Sequence, residues 1–308
     1  MASDTPVFEL DGQKFATGLL LSSTDNVALM ARVAEFEDKL MWEDDAIKNA
    51  LVINGASRHI LDRERHGAYM RNQGEIGSCC PCANTTGIEQ TRQAQGMPHV
   101  ALAHCFTYTQ ISGGKDSGAT LPDAFTSTQQ MGATPYLLQI GGMTKRYPND
   151  VYSSRQVPAD IHKAATEQAK RFRGVRLLKL PLGNFEKFCR AAATGIAKRW
   201  PMVWAWQVEN IGMRLNKGYM QLARGAGNHA NCIHSGKWVG GKTLVHGDNQ
   251  NSWGPVRDPM YGPAVAGWGE NGYGLTTMEG LFACAHIHPP YFIISVGVDP
   301  NDPAFAGL

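Results

Sequence analysis

Gln73-Gly74-Glu75-Ile76-Gly77-Ser78-Cys79-Cys80-Pro81-Cys82-Ala83 is the stretch from which the rest of the chain can be read. Cys79 follows Gly-Ser, Pro81 comes two residues later, and Ala83 to Gln93 reads as helix, so the Cys79 sulfur falls at a helix start. Unpaired N–H groups and the positive end of the helix dipole lower a thiol's pKa there and favour the thiolate, the form that attacks carbonyl carbon. Pro81 fits the first turn, where a missing N–H costs nothing. Gln73 stands six residues before Cys79, where its side-chain amide can join the Cys79 backbone N–H in donating to the oxyanion of a tetrahedral intermediate.

A chain of 308 residues, 43% hydrophobic and 18% charged, is globular and long enough for two packed subdomains. Its net charge of +2 gives no electrostatic case for nucleic acid or an anionic membrane. Met1-Ala2-Ser3-Asp4 opens no basic or apolar leader, and no run approaches a membrane span. The seven cysteines are odd in number and three are crowded at 79, 80 and 82, unlike a disulfide framework. A reducing, intracellular setting or a place in a viral particle is the expectation.

Along the chain, Phe8 to Phe15 reads as a hairpin turning at Asp11-Gly12. Leu29, Met30, Val33, Phe36, Leu40 and Met41 recur at helical spacing and predict an amphipathic helix from Asp25 or Asn26 to about Ala50. Further helices are predicted over Val100–Gln110, Leu121–Met131, Ala159–Phe172 and Leu182–Lys198, and strands over Met202–Val208, Lys237–His246 and Tyr291–Val298. Helices first and strands later imply an α+β protein with a cleft between a helical and a sheet subdomain. The boundaries drawn are 1–56, an N-terminal appendage of hairpin plus amphipathic helix; 57–199, mainly helical with Cys79; and 200–308, mainly β.

Downstream stand Asn228-His229-Ala230, Asn251-Ser252-Trp253-Gly254, the glycine-rich run from Gly267 to Gly274, and Asp116-Ser117-Gly118-Ala119-Thr120-Leu121-Pro122-Asp123-Ala124. With the Cys79 stretch, and in this order, they resemble the papain-like (papain/cathepsin, C1-type) cysteine peptidases over roughly residues 65–297, of the bacterial or viral kind that lacks a long propeptide. The resemblance implies a helical subdomain followed by an antiparallel β-barrel-like subdomain. It implies Cys79 as nucleophile, His229 as general base, Asn251 orienting His229, Gln73 as oxyanion donor, Trp253 shielding the His–Asn bond, and Ser117 and Gly118 lining the substrate cleft. The substrate would be a peptide or protein, with no cofactor and no metal. The usual signature is C-G-[SA]-C-[WY]; here Ile76 replaces the first Cys and Cys80 the aromatic, Asn251 comes late, and an insertion around Ser235–Thr243 is expected.

Other readings compete. Cys79-Cys80-Pro81-Cys82 is also a C-x-x-C redox pattern, but no strand precedes it. Cys79, Cys82, Cys232, His229 and His234 are competent metal ligands whose spacing matches no known pattern. The loop Ser112–Gly118 lacks the G-x-x-x-x-G-K-[ST] phosphate pattern, and His286 and His288 read as surface. From a different class comes a catalytically silent papain-like module serving as a structural or binding component of a larger assembly. The 1–56 segment is expected to dock on the body or on a protein partner and to leave the Cys79–His229 cleft uncovered.

Overall fold

The structure, a computed structural model, describes residues 7–10, 13–20, 33–65, 70–209, 214–240, 245–254, 269, 272–286 and 288–297. Strands β1 (Val7–Leu10) and β2 (Gln13–Ala16) pair antiparallel with Phe8 opposite Phe15, as the hairpin reading expects; the Asp11-Gly12 turn lies outside the described residues. Of the amphipathic helix expected through about Ala50, the described residues form only the C-terminal part, from Asp44 on. Residues 33–37 are extended or bent instead. Phe36 N–H donates to Lys179 O at 2.8 Å and Lys179 N–H to Ala34 O at 2.9 Å. One 3-10 turn at Asp38–Leu40 follows, and only then helix α1 (Asp44–Leu51). The apolar positions are satisfied by docking on the body, where Phe36, Ile47 and Leu51 enter the main core, and this burial overrides their helical spacing.

A short hairpin, β3 (Val52–Ile53) and β4 (Ala56–Ser57), leads into α2 (Arg58–Arg65). Helix α3 (Cys79–Ala94) begins at the expected cysteine and is buried from Cys79 through Arg92. Helix α4 (His104–Ile111) starts later than the expected Val100, because residues 97–103 are extended. Helix α5 (Leu121–Gln130) is capped by Thr120, whose side chain accepts from Asp123 N–H. Strands β5 (Leu137–Ile140) and β6 (Met143–Arg146) form a hairpin with no counterpart in the sequence reading, followed by α6 (Ala159–Ala169) and strand β7 (Arg176–Lys179). Helix α7 (Phe185–Ala197) is capped by Asn184, and β8 (Met202–Trp206) is buried at all five positions. The strand expected over 237–246 is instead a junction: β9 (His229–Trp238) ends and β10 (Val245–Gln250) begins, paired antiparallel, with 241–244 outside the described residues. Strand β11 (Tyr273–Thr276), helix α8 (Met278–Cys284) and β12 (Tyr291–Ser295) complete the described chain; of the glycine-rich run, Gly267, Trp268, Glu270 and Asn271 lie outside it.

Six strands make one open antiparallel sheet in the order β11-β10-β9-β8-β12-β7. Its centre is covered on both faces, which is why β8 reads as an uninterrupted apolar run. Met202, Trp204, Ile233 and Phe292 pack toward α7 and the 36–51 segment. Val203, Ala205, Ala230, Cys232 and Ile293 pack toward α3 and α5. The start of α3 therefore meets the start of β9, and Cys79 meets His229. Among the described residues no helix is long and apolar enough to cross a membrane.

Candidate active site

Cys79 is the first residue of α3, and its side chain is fully buried. Burial by itself pushes its thiol up. Hydrogen bonds with the Cys80 and His229 side chains, the His229 charge and the Ala230 N–H outweigh this and bring it down to about 5. Cys82, one turn on, stays an ordinary buried thiol; burial pushes it up to about 12, and its Sγ lies 3.8 Å from Ser78 Oγ. Among the described residues no cluster of three or more His, Cys, Asp or Glu side chains could hold a metal ion.

His229 opens β9 opposite Trp206 of β8. Its Nε2 is 2.8 Å from Asn251 Oδ1, an oxygen that also accepts Ser252 N–H at 2.7 Å. Because Oδ1 is an acceptor, Nε2 carries the proton in the neutral ring, and Nδ1 is left buried without an oxygen or nitrogen hydrogen-bond partner among the described residues. Trp253 lies flat on the imidazole, centroids 4.1 Å apart at 24°, and is itself fully buried. Asn228 fixes the approach to His229: its Oδ1 accepts Val208 N–H at 2.7 Å and its Nδ2 donates to Val208 O at 3.1 Å.

Gln73 is held by pairing of the 71–73 segment with 252–254, where Gln73 N–H donates to Ser252 O at 2.8 Å and Gly254 N–H to Arg71 O at 2.8 Å. Its carboxamide has one orientation, because Ser252 Oγ–H donates to Gln73 Oε1, which leaves Nε2 to donate to Ile76 O at 2.8 Å and Ala16 O at 3.0 Å. Ser252 sets this orientation although its place in the sequence points to no such role. Nothing local distinguishes it; its function depends on a contact across the chain.

The cleft is not open. Residues 16–20 lie along it as a strap, against the expectation that the N-terminal segment leaves it uncovered. Ala16 O accepts both Gln73 Nε2–H and, at 3.1 Å, Trp253 Nε1–H. Gly18 and Leu19 N–H both donate to Asn228 O at 3.0 Å, Ala119 N–H donates to Gly18 O at 2.6 Å, and Leu20 N–H donates to Ala119 O at 2.8 Å. The fit demands glycine: a Cβ on Gly18 would stand 2.1 Å from Gly77 O, and one on Gly118 would stand 2.5 Å from Gly18 O. Gly118, at φ +96, presents its N–H to Tyr108 Oη at 3.1 Å, while Ser117 is half-buried and makes no hydrogen bond. The residue whose backbone pairs with the strap is Ala119, one beyond the predicted Gly118.

These elements together make the fold of the papain-like cysteine peptidases, α+β with the cleft between the start of the α3 helix and the sheet. Solved structures with this fold include xylellain, a cysteine protease from Xylella fastidiosa (TM-score 0.56, 16% identity, 94% of this chain and 100% of that one). Procathepsin B S9 from Trypanosoma congolense aligns with a TM-score of 0.60 at 12% identity over 92% of this chain and 87% of its own. Digestive procathepsin L 3 of Tenebrio molitor larval midgut aligns at 0.54 and 15% over 89% of each. No protein-family model and no curated protein sequence matches the chain.

Proposed function

We propose that this chain is a thiol-dependent peptidase held latent by its own residues 16–20. In the step proposed, Cys79 sulfur attacks a peptide carbonyl while Gln73 Nε2–H and a backbone N–H at the start of α3 receive the oxyanion. The His229 imidazolium then protonates the leaving amine, and the neutral ring activates the water that releases the acyl group. Asn251 Oδ1 holds the ring at its proton-bearing nitrogen through both half-reactions. The steps use no metal or organic cofactor, and the substrate is a peptide or protein.

The observation that carries the reading is the grouping of Cys79, His229 and Asn251, in which the imidazole lowers the thiol's pKa, is hydrogen-bonded to Asn251 and is roofed by Trp253, together with a Gln73 amide already donating to a carbonyl oxygen. That carbonyl, Ala16 O, is a backbone carbonyl of the strap. One observation favours the other reading, a silent structural or binding module: Cys79 is wholly covered as the chain stands. The test is hydrolysis of a fluorogenic peptide mixture by the full chain carrying Gly18→Val, beside the same chain with Cys79→Ala. Turnover that disappears with Cys79→Ala supports the peptidase. No turnover and no labelling of Cys79 by a thiol-directed epoxide would leave the silent module.

A further inference from the structure

A second cavity lies between α3 and β9, away from their starts. Asp62, Gln90, Gln93, Ala94, Arg199 and His234 line it, and it encloses about 350 Å³ of space, part of it open to solvent. Gln90 stands eleven residues after Cys79 on α3, and His234 five after His229 on β9. At the rise of a helix or a strand this puts the cavity about 16 Å from Cys79 and His229 along either element.

Most of the charge in its walls is already paired. Asp62 accepts Arg58 Nε–H at 2.9 Å, and the rest of the Arg58 guanidinium is spent on Ala50 O, Ala197 O and Ile196 O. Asp248 is paired with Arg63 and lies 3.3 Å from His234 Nε2. Arg199 is different: it is partly exposed, and its Nη2 stands 3.6 Å from Asp62 Oδ1, beyond a direct hydrogen bond. Two buried amide atoms are also unmet. Gln90, 8% exposed, donates Nε2–H to Gln250 Oε1 at 3.2 Å, which leaves its own Oε1 an acceptor with no hydrogen-bond partner among the described residues. Gln93 Nε2 is a buried donor in the same condition.

We propose that this cavity is a binding site for a small zwitterion of the free α-amino acid class, its carboxylate on Arg199 and Gln93 Nε2–H, its ammonium on Gln90 Oε1 and Asp62. The mixture of wall groups decides the class. A simple oxyanion satisfies Arg199 and Gln93 but brings only acceptors to Gln90 Oε1 and Asp62. A simple amine satisfies those two and meets Arg199 with a like charge. A ligand carrying both signs one carbon apart answers all four groups with charge-assisted hydrogen bonds. No residue of the Cys79 cleft enters the site, so the inference does not depend on the peptidase reading. Binding ties α2, the end of α7, α3 and β9 together, and stabilises the chain by mass action.

The test is isothermal titration calorimetry of the full chain with glycine, which brings no side chain to clash, beside acetate and methylamine as its two halves. Glycine should bind saturably, and each half at least about tenfold more weakly, because each leaves a buried partner unmet. Arg199→Gly removes the guanidinium at a position, φ +61, that glycine adopts freely, and Gln93→Met removes the donor at similar length. Each should weaken glycine binding by about tenfold or more. Acetate binding as tightly as glycine would make this an anion site only, and methylamine binding as tightly a cation site; either overturns the inference. So does the absence of saturable glycine binding, or glycine binding that neither variant moves. None of these outcomes reads Cys79, so the peptidase reading stands or falls separately.

Discussion

Replacing Gly18 with valine should unseat the strap and uncover Cys79. The new Cβ would stand 2.1 Å from Gly77 O, 2.3 Å from Gly77 C and 2.5 Å from its Cα. These are backbone atoms that cannot rotate away, and Gly77 N–H is itself tied to Asp116 Oδ1 at 2.9 Å. Relief therefore requires the strap to withdraw by about 1 Å, which carries its bonds of 2.6 to 3.0 Å to Ala119 and Asn228 past useful length. Four backbone hydrogen bonds at about 0.5–1.5 kcal/mol each amount to about 2–6 kcal/mol. At 1.4 kcal/mol per decade this raises the open population by about 30- to 20,000-fold. The assay is the second-order rate of Cys79 alkylation by iodoacetamide, followed by mass spectrometry of the peptide carrying Cys79, with peptide hydrolysis in parallel. Both rates should rise together, and Leu20→Ala, which keeps the strap's backbone contacts, should change them much less. A folded Gly18→Val chain with unchanged or slower labelling would refute the reasoning, since it would mean that the strap does not limit access.

In the Gly18→Val background, Asn251→Ala should lower turnover by about 10- to 100-fold while leaving Cys79 labelling detectable, because it removes a single charge-assisted hydrogen bond; His229→Ala should abolish turnover. Arg63→Met should deprive the fully buried Asp248 of the guanidinium whose Nε–H it accepts at 2.7 Å and Nη2–H at 2.5 Å, leaving it His234 Nε2 at 3.3 Å, and should cost up to about 3–5 kcal/mol by urea unfolding at neutral pH. Burial pushes the Asp248 carboxyl up, but Arg63 and His234 hold it below the ordinary range. Its contribution is therefore present above the unfolded carboxyl's pKa of about 3.9 and is lost as pH falls through the lower folded value. Without Arg63, unfolding midpoints should begin to fall at a higher pH. Glu89→Ala should cost a similar amount, because Glu89 pairs with buried Arg71 and accepts Leu102 N–H at 2.6 Å; it should also slow turnover by loosening the 71–73 segment that carries Gln73.

Much of the site is legible because its chemistry is local. Gly-Ser-Cys ahead of Pro81 marks a helix start whatever surrounds it, and α3 begins at Cys79. The Thr120-Leu121-Pro122-Asp123 run carries its own cap. Met202 to Trp206 is apolar at every position because both faces of β8 are covered. The β5–β6 hairpin carried a signal as well: Gly141-Gly142, at φ +57 and +80 between Ile140 and Met143, is the two-residue turn that glycine pairs favour.

Other features exist only once distant segments meet. Phe36, Leu40 and Met41 are spaced for a helix, and the backbone around Phe36 instead pairs with Lys179 because the edge of β7 offers hydrogen bonds that the sequence around Phe36 does not encode. Ser252 selects the end of the Gln73 amide that faces the cleft, through a contact between residues far apart in the chain. The strap is the clearest case. Thr17-Gly18-Leu19 has no local signature, and Gly18 is required only because Gly77 from one wall and Gly118 from the other close on it from both sides. Sequence determined which residues can ionise, donate and accept; the tertiary structure decided that five residues of the chain's own backbone occupy those donors and acceptors first, because steric fit and hydrogen-bond pairing between remote segments are properties of the folded surface alone.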